Sequence, residues 1–540
     1  MENRSPSRRL TLFRSCVFVV LAAFTVPVTL VGGLAAGWPL PITIPVTVIV
    51  LLLILLATVR IVPALLADRR AKHRFLFVAW AALSLFVSFR LAGMSVFMLD
   101  ADKAEYAVNA SVSTLWTVSG PKPEGRQHNC FTAYVIAADR AAQNVENIYQ
   151  SQPSDEESAT ETVVDQGVRD RFTIDPYLYP PPFLILPRLM LATGADFYQA
   201  RTYWFVLNIL VFTVAVGSLV AWLGGREFNR YWFLWPLLLI APAMLRTLQG
   251  GNVHLLVISL SLLAMVAIKR NRNWLGGGLL GFAIVCKVFP ALLLAYLLVR
   301  RRWNAVIWTL AGILAFCSIT VLLFGIQPFD SFVNYHLPRL VTGEAVGFAT
   351  KASGAIKSNL SVAGIPYKME KLDMLASCDP AAVARVLRWI YTGILAGVII
   401  LLGFTNRRSA PFDSAVGNRG TGRMMQAQLW LALLILAQLL SPFLPWGYSN
   451  VPILWLLTLL ALGRNSWSRW TGFLIVGWVV FAVKRPEFLG LETEAAQIIY
   501  GLTMQTLLMI ACLAFVVRQA VDRDPTSKNR FGLLGERQAG

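Results

Sequence analysis

The chain has 540 residues, 56% of them hydrophobic and 14% charged, with a formal net charge of +19. So little charge cannot cover a soluble protein of this length, which excludes the soluble-enzyme classes. The positive excess sits in short links between apolar runs, such as Arg69, Arg70, Lys72 and Arg74 or Arg300 to Arg302, so it reads as the cytoplasmic bias of a membrane protein and not as a nucleic-acid surface.

Apolar runs long enough to cross ~30 Å of hydrocarbon recur along the chain. Spans are expected at about 15–37, 40–59, 75–98, 201–224, 231–246, 253–268, 275–286, 288–299, 305–325, 387–404, 427–444, 448–463, 470–484 and 497–517. The first run is long and followed by others, so it reads as a retained anchor. The expected fold class is all-α, a polytopic membrane bundle of about 14 helices with both ends cytoplasmic and two large extracytoplasmic loops. The expected division is an extra N-terminal pair of spans in 1–74 and a core in 75–326 carrying the first loop, 99–200. The second loop follows in 327–386, then the C-terminal helices and tail in 387–540.

The first loop opens on Asp100 and Asp102, at the end of the third expected span. A carboxylate there serves either as a helix-end group in water, or as a general base or divalent-ion ligand facing a membrane-borne substrate. From Asp100 to Asp175 the loop holds 13 acidic and 6 basic residues, a net of −7 and opposite to the cytoplasmic links. Asp139, in AYVIAADRAAQN, is a weaker candidate on an amphipathic helix, where a solvated face is the plain alternative. Next, TIDPYLYPPPFLILPRLM reads as an interfacial or re-entrant helix begun at Pro180 to Pro182, with Tyr177 and Tyr179 at headgroup depth.

RTLQGGNVHLLVISL forms a tight turn in which Gly250 and Gly251 permit close approach and Asn252 and His254 offer hydrogen bonds. Downstream, GFAIVCKVFPALLLAYLLVRRRW places Lys287 inside an apolar run, three residues before Pro290. An ammonium at that depth costs ~2.5–3.5 kcal/mol on insertion scales, so it marks a site unless it snorkels to the interface. Both flanks are arginine-rich, and twelve helical residues reach only ~18 Å. Two half-length helices meeting at Cys286–Pro290, with Lys287 facing a polar chamber, satisfy both facts. The second loop carries Asn359 in AIKSNLSVAG, and LSPFLPWGYSNVPIL forms another outer turn with Trp446 and Tyr448. The four histidines, His73, His128, His254 and His336, lack metal-ligand spacing in sequence. Cys130 and Cys378 fall in the two loops and are candidates to pair if these face an oxidising compartment.

This set of motifs resembles glycosyltransferase family 87, in the GT-C superfamily of membrane glycosyltransferases. The resemblance is carried by FTAYVIAADRAAQNVENIY, by YLYPPPFLILPRL, by the block from QGGNVHLL to LLVRRRW, and by NYHLPRLVTGEAV followed by KSNLSVAG. It departs where the family usually has an acidic residue before the first-loop phenylalanine, since Cys130 stands there before Phe131. The resemblance implies a GT-C bundle in a bacterial plasma membrane, with its site on the extracytoplasmic side. It implies transfer of a hexose, often mannose, from a polyprenyl-phosphate donor to a lipid or glycan acceptor with inversion. Lys287 is then the cation for the leaving phosphate, and Asp100 or Asp102 the substitute base, with Asp139 behind them. Tyr179, Asn252, His254, Asn359 and Tyr448 are expected to contact substrate. Membrane lipid is a partner and nucleic acid is not; a divalent cation, magnesium or manganese, is open. The rival classes are a transporter or flippase of lipid-linked substrates, a glycan polymerase or ligase, and a non-catalytic scaffold.

Overall fold

The structure is a computed structural model. It describes residues 69–99, 127–150, 164, 166–224, 230–375, 378–405, 419–463, 469–482 and 493–521, together with residue 49. The expected first two spans, Asp100 and Asp102 lie outside the described residues.

Helices dominate the described chain. Six are long and apolar enough to cross a membrane: Phe75–Ala92, Phe197–Leu223, Trp303–Phe324, Pro380–Phe404, Trp446–Gly463 and Glu494–Ala520. Arg230–Ile240 and Pro242–Gln249 add a seventh if read as one span bent by 60°. The bend falls at Ala241, whose extended backbone (φ −67°, ψ 127°) is what a following proline imposes. His254–Lys269 and Asn273–Cys286 are shorter apolar helices. The helix Phe197–Leu223 opens on a capping box, with the Asp196 side chain and Gln199 satisfying each other's free backbone donors.

The run around Lys287 breaks as its sequence requires. One helix ends at Cys286, Lys287 is extended (φ −159°, ψ 122°), and the next helix begins at Ala291 after Pro290. Small residues let the first half-helix sink between its neighbours. A Cβ built on Gly276 would lie 2.7 Å from the Ala264 carbonyl oxygen, and one on Gly277 2.5 Å from the Trp308 Cβ. Without a hydrophobic drive between lipid-immersed helices, such close backbone approach is a main source of their association.

The described part of the first loop is anchored by aromatic packing. The helix Phe131–Ala142 lays Phe131 on Trp204 (ring centroids 5.8 Å apart) and Tyr134 on Phe183 (4.8 Å), and Phe183 meets Trp204 at 5.9 Å. The proline-started turn Pro181–Leu184 and the helix Ile185–Leu191 lie beside it, as the YPPP segment predicts. Two residues, Gln127–His128, pair in parallel with Phe172–Thr173, in the register Gln127↔Phe172 and His128↔Thr173. Buried Arg201 holds this ladder to the long helix, its guanidinium 5.1 Å from the Phe172 ring centre. The second loop runs as short helical turns from Gln327 to Glu370. It reaches the bundle where Asn359 bridges to Pro445.

Candidate functional site

Distant segments converge on the turn at Gly250–Gly251. The Cys130 amide donates to the Gly250 carbonyl at 2.8 Å, and Trp204 Nε1–H donates to the Gly251 carbonyl at 2.8 Å. Gly251 has φ +64°, and a Cβ there would lie 2.6 Å from Asn129 Oδ1. Both facts require glycine. Gly250 likewise leaves room for the Tyr448 hydroxyl, 3.1 Å from where its Cβ would stand.

On one side of this turn lies Lys287. Its Nζ donates to His254 Nδ1 at 3.2 Å and sits 5.8 Å from the Tyr179 ring centre. The partners of the imidazole fix its tautomer. Gln438 Nε2 donates to the Ser449 carbonyl at 3.1 Å, which turns Gln438 Oε1 toward His254 Nε2 at 2.7 Å. His254 therefore carries its proton on Nε2 and offers Nδ1 as an acceptor to the ammonium. The ring also stacks on Phe289, 5.0 Å between centroids. Lys287 is thus held in one place with hydrogens left for another acceptor. Gln438→Leu is expected to leave the buried Nε2–H unpaired and cost about 1–3 kcal/mol. Thermal unfolding in detergent reads that loss, and turnover should fall with it.

On the other side lie Cys130, His128 and Asp175. His128 Nδ1 is 3.2 Å from Asp175 Oδ1, and His128 Nε2 is 3.5 Å from Cys130 Sγ and 3.1 Å from the Tyr448 hydroxyl. The two-residue ladder brings Asp175 to His128, since Asp175 follows two residues after Thr173. Partial burial works against charge on His128, but the Cys130 sulfur and the Asp175 carboxylate outweigh it and push the imidazole up to about 10. The ring stays 45% exposed, which tempers the burial penalty. The ligand atoms of these three residues all lie within 4.8 Å of one another. A cysteine sulfur and an imidazole suit zinc better than the expected magnesium or manganese. The two ring nitrogens face different partners, Asp175 at Nδ1 and Cys130 with Tyr448 at Nε2.

Asn252 joins the two sides. Its Oδ1 accepts from the His254 amide at 3.0 Å, so its Nδ2 points at Cys130 Sγ, 3.3 Å away. The Tyr134 hydroxyl links the Tyr179 hydroxyl, at 3.1 Å, to the Val253 amide, at 3.2 Å.

Of the residues singled out from sequence, Lys287, Tyr179, Asn252, His254 and Tyr448 come together around this turn. Asn359 braces it from further off, its Oδ1 accepting from the Ser361 and Leu444 amides, both at 3.0 Å. Asp139 does not join them. It lies nine residues along the helix from Cys130, ~13 Å at helical rise. There it is buried and accepts from Gln143 Nε2 at 3.0 Å. Burial pushes its carboxyl up. Arg140 turns away to the carbonyls of Asn147 and Gln150, so Asp139 is not on the solvated face that its neighbour suggested. Cys130 and Cys378 are both free thiols.

Sequence reasoning missed His128, Asp175 and Gln438 as members of the site. His128 ends a two-residue strand and Cys130 caps the helix that follows, so no simple spacing rule pairs them. Nothing local points to Asp175, 47 residues from His128.

The profile of glycosyltransferase family 87 matches residues 177–442. The chain is 27% identical over 186 residues to an alpha-(1->3)-arabinofuranosyltransferase of Corynebacterium glutamicum, covering 33% of this chain and 42% of that relative. It is 24% identical over 334 residues to a polyprenol-phosphate-mannose-dependent alpha-(1-2)-phosphatidylinositol pentamannoside mannosyltransferase of Mycolicibacterium smegmatis, covering 57% of this chain and 78% of that relative. The chain thus spans less than half the length of the first of these relatives. No solved structure matches it. Tyr179, Asn252, His254, Lys287, Asn359 and Gln438 fall inside the matched stretch, and His128, Cys130, Asp175 and Tyr448 outside it. Residues 177–442 of this membrane protein, with Lys287 at their broken helix, match the model of glycosyltransferase family 87.

Proposed function

We propose that this protein is an integral membrane glycosyltransferase that moves a sugar from a polyprenyl-phosphate donor to a lipid or glycan acceptor. The reaction takes place on the extracytoplasmic side of a bacterial plasma membrane, within a GT-C bundle of about 14 spans, and inverts the anomeric carbon. The observation that carries this reading is the ammonium of Lys287, held at a helix break by His254 and facing Tyr179. A polyprenyl-phosphate donor keeps its tail in the bilayer and its phosphate near the surface, where a fixed cation stabilises the charge gathering on the leaving oxygen. The remote parts of the cluster, Tyr179, Asn252 and Tyr448, offer hydroxyl and amide groups to sugar hydroxyls. A hexose, mannose first, is supported by the longer of the two matches.

A pentose donor is the second reading, favoured by the arabinofuranosyltransferase match. Purified protein should be offered labelled polyprenyl-phosphate mannose and polyprenyl-phosphate arabinofuranose, with a membrane lipid extract as acceptor. Release of polyprenyl phosphate with a labelled product from the mannose donor supports the reading. Movement of intact donor across vesicles without bond cleavage would instead make the protein a flippase. A chelator arm tests the open divalent cation, and Asp100→Asn and Asp102→Asn, made singly, test those two carboxylates.

A further inference from the structure

The transfer reading makes no use of His128, Cys130 and Asp175, yet their ligand atoms all lie within 4.8 Å of one another. Three atoms form a triangle there. His128 Nε2 is 3.5 Å from Cys130 Sγ and 3.1 Å from the Tyr448 hydroxyl, and that hydroxyl is 3.5 Å from the sulfur. A tetrahedral zinc has bonds of about 2.3 Å to sulfur and about 2.0–2.2 Å to nitrogen and oxygen, which sets neighbouring ligand atoms about 3.3–3.6 Å apart. Both edges at the sulfur match that spacing, and the third is about 0.2 Å short of it. The groups behind the triangle suit a bound metal. Asp175 Oδ1 stands 3.2 Å from His128 Nδ1, where a carboxylate takes the Nδ1 proton and leaves Nε2 to the ligand side. Asn252, whose Oδ1 accepts from the His254 amide, can only donate to the sulfur, at 3.3 Å. Asp175 Oδ2 is buried with no hydrogen-bond partner among the described residues, a charge that a cation bound through His128 would offset. Each ligand also arrives on a separately held segment. His128 sits in the two-residue ladder, the Cys130 amide is tied to the Gly250 carbonyl at 2.8 Å, and Tyr448 stands in the first turn of Trp446–Gly463. The His128 side chain is 45% exposed, which gives an ion a way in.

We propose that Cys130 Sγ, His128 Nε2 and the Tyr448 oxygen form a zinc site, with Asp175 and Asn252 positioning the ligands from behind. Sulfur and imidazole select zinc over magnesium or manganese, which prefer oxygen ligands. Binding releases the Cys130 proton to solvent, and the electron pair of the S–H bond stays on the sulfur and forms its bond to the metal. Nδ1 of His128 keeps its proton for Asp175. Three protein ligands leave the fourth position open, as in catalytic zinc sites and unlike closed structural ones. Asn252 ties the sulfur to the His254 amide, and His254 in turn holds Lys287. The site itself stands without the glycosyl-transfer reading above. Its role rests on that reading: the open position takes a substrate oxygen in the same cluster as Lys287, and the metal adds positive charge there.

The test uses the full-length protein in lipid nanodiscs, purified without a polyhistidine tag. Elemental analysis should find about one zinc per chain, either as purified or after zinc is returned to chelator-stripped protein. Cobalt in its place should give a sulfur-to-cobalt charge-transfer band in the near ultraviolet. Cys130→Ser should lose that band, and Cys130→Ser and His128→Asn should each lower zinc affinity at least ~100-fold. Asp175→Asn should weaken zinc by about 10–100-fold with the cobalt band kept, because Asp175 acts through the His128 ring. Tyr448→Phe should also weaken zinc and keep the band. Cys378→Ser, at an exposed free thiol, should change neither. A second measurement stands even if these variants fold poorly. In the stripped wild-type protein, zinc should raise the unfolding temperature and magnesium at the same concentration should not. A wild-type protein that takes up no zinc would overturn the proposal, as would unchanged zinc affinity in Cys130→Ser. Stabilisation by magnesium or manganese but not by zinc would overturn it too. Absence of any sugar transfer by zinc-loaded wild type defeats the glycosyl-transfer reading instead, while the metal analysis still decides the site.

Discussion

Replacing Lys287 by alanine is expected to lower sugar transfer by about 10²–10³-fold, the usual cost of removing one preorganised group that faces developing charge. The protein should still insert and fold. The lost side chain is half-buried at an already broken helix, and the helices on both sides keep their own hydrogen bonds. Removing an ammonium from an apolar setting also relieves a desolvation cost, which offsets the donor lost by His254 Nδ1. Lys287→Arg should be intermediate. It keeps the charge but replaces a compact ammonium with a planar fork that does not fit between His254 and Tyr179. Turnover of labelled donor, with thermal unfolding as the control, decides it. A Lys287→Ala enzyme within threefold of wild type would remove the phosphate role and leave Lys287 as a structural cation.

Gly277→Ala should be the most damaging single methyl group in the described core, and Gly278→Ala, one residue on, nearly harmless. A Cβ at 277 would stand 2.5 Å from the Trp308 Cβ, 2.6 Å from the Trp308 backbone carbon and 2.7 Å from the Thr309 nitrogen. Backbone atoms cannot swing aside as a flexible side chain does, so Asn273–Cys286 and Trp303–Phe324 must move apart. Overpacking of this kind costs about 1–3 kcal/mol or more. The Cβ at 278 meets nothing within 4 Å. There the change gains about 0.5–1 kcal/mol of helix propensity. Because the displaced helix ends at Cys286 and carries Lys287 at its tip, Gly277→Ala should also reduce turnover beyond its effect on the amount of folded protein. Paired measurements of unfolding temperature and specific activity separate the two. Equal behaviour of the two alanine variants would show that this helix pair does not pack as described.

The legible part of the site is the part whose meaning is local. Lys287 stands out because an isolated charge in an apolar run has no cheap structural role, and Pro290 and the arginine flanks force the break beside it. The Gly250–Gly251 pair announces close approach before any partner is known, and Trp204, Cys130 and Tyr448 turn out to be the groups that approach. Asp139 shows the opposite case. Its amphipathic stretch suggests water on one side, yet Asp139 is buried against Gln143, and Arg140 turns to two carbonyls. A helix face records only which residues share a side, not what later covers that side.

The amino-acid sequence by itself determined where most of the described helices run, that they suit a membrane, and that Lys287 marks a break in one of them. These follow from spacing along the chain: apolar length against bilayer thickness, proline against the helical ladder, and charge against hydrocarbon. The tertiary structure alone decided that Asp175 meets His128 across 47 residues, that Asn252 aims its amide at Cys130, and that Gln438 sets the tautomer of His254. Those contacts depend on a two-residue ladder, one glycine turn and the crossing of separate helices. Hydrogen bonds act over ~3 Å in space, whatever the distance in sequence, so no periodicity along the chain encodes them.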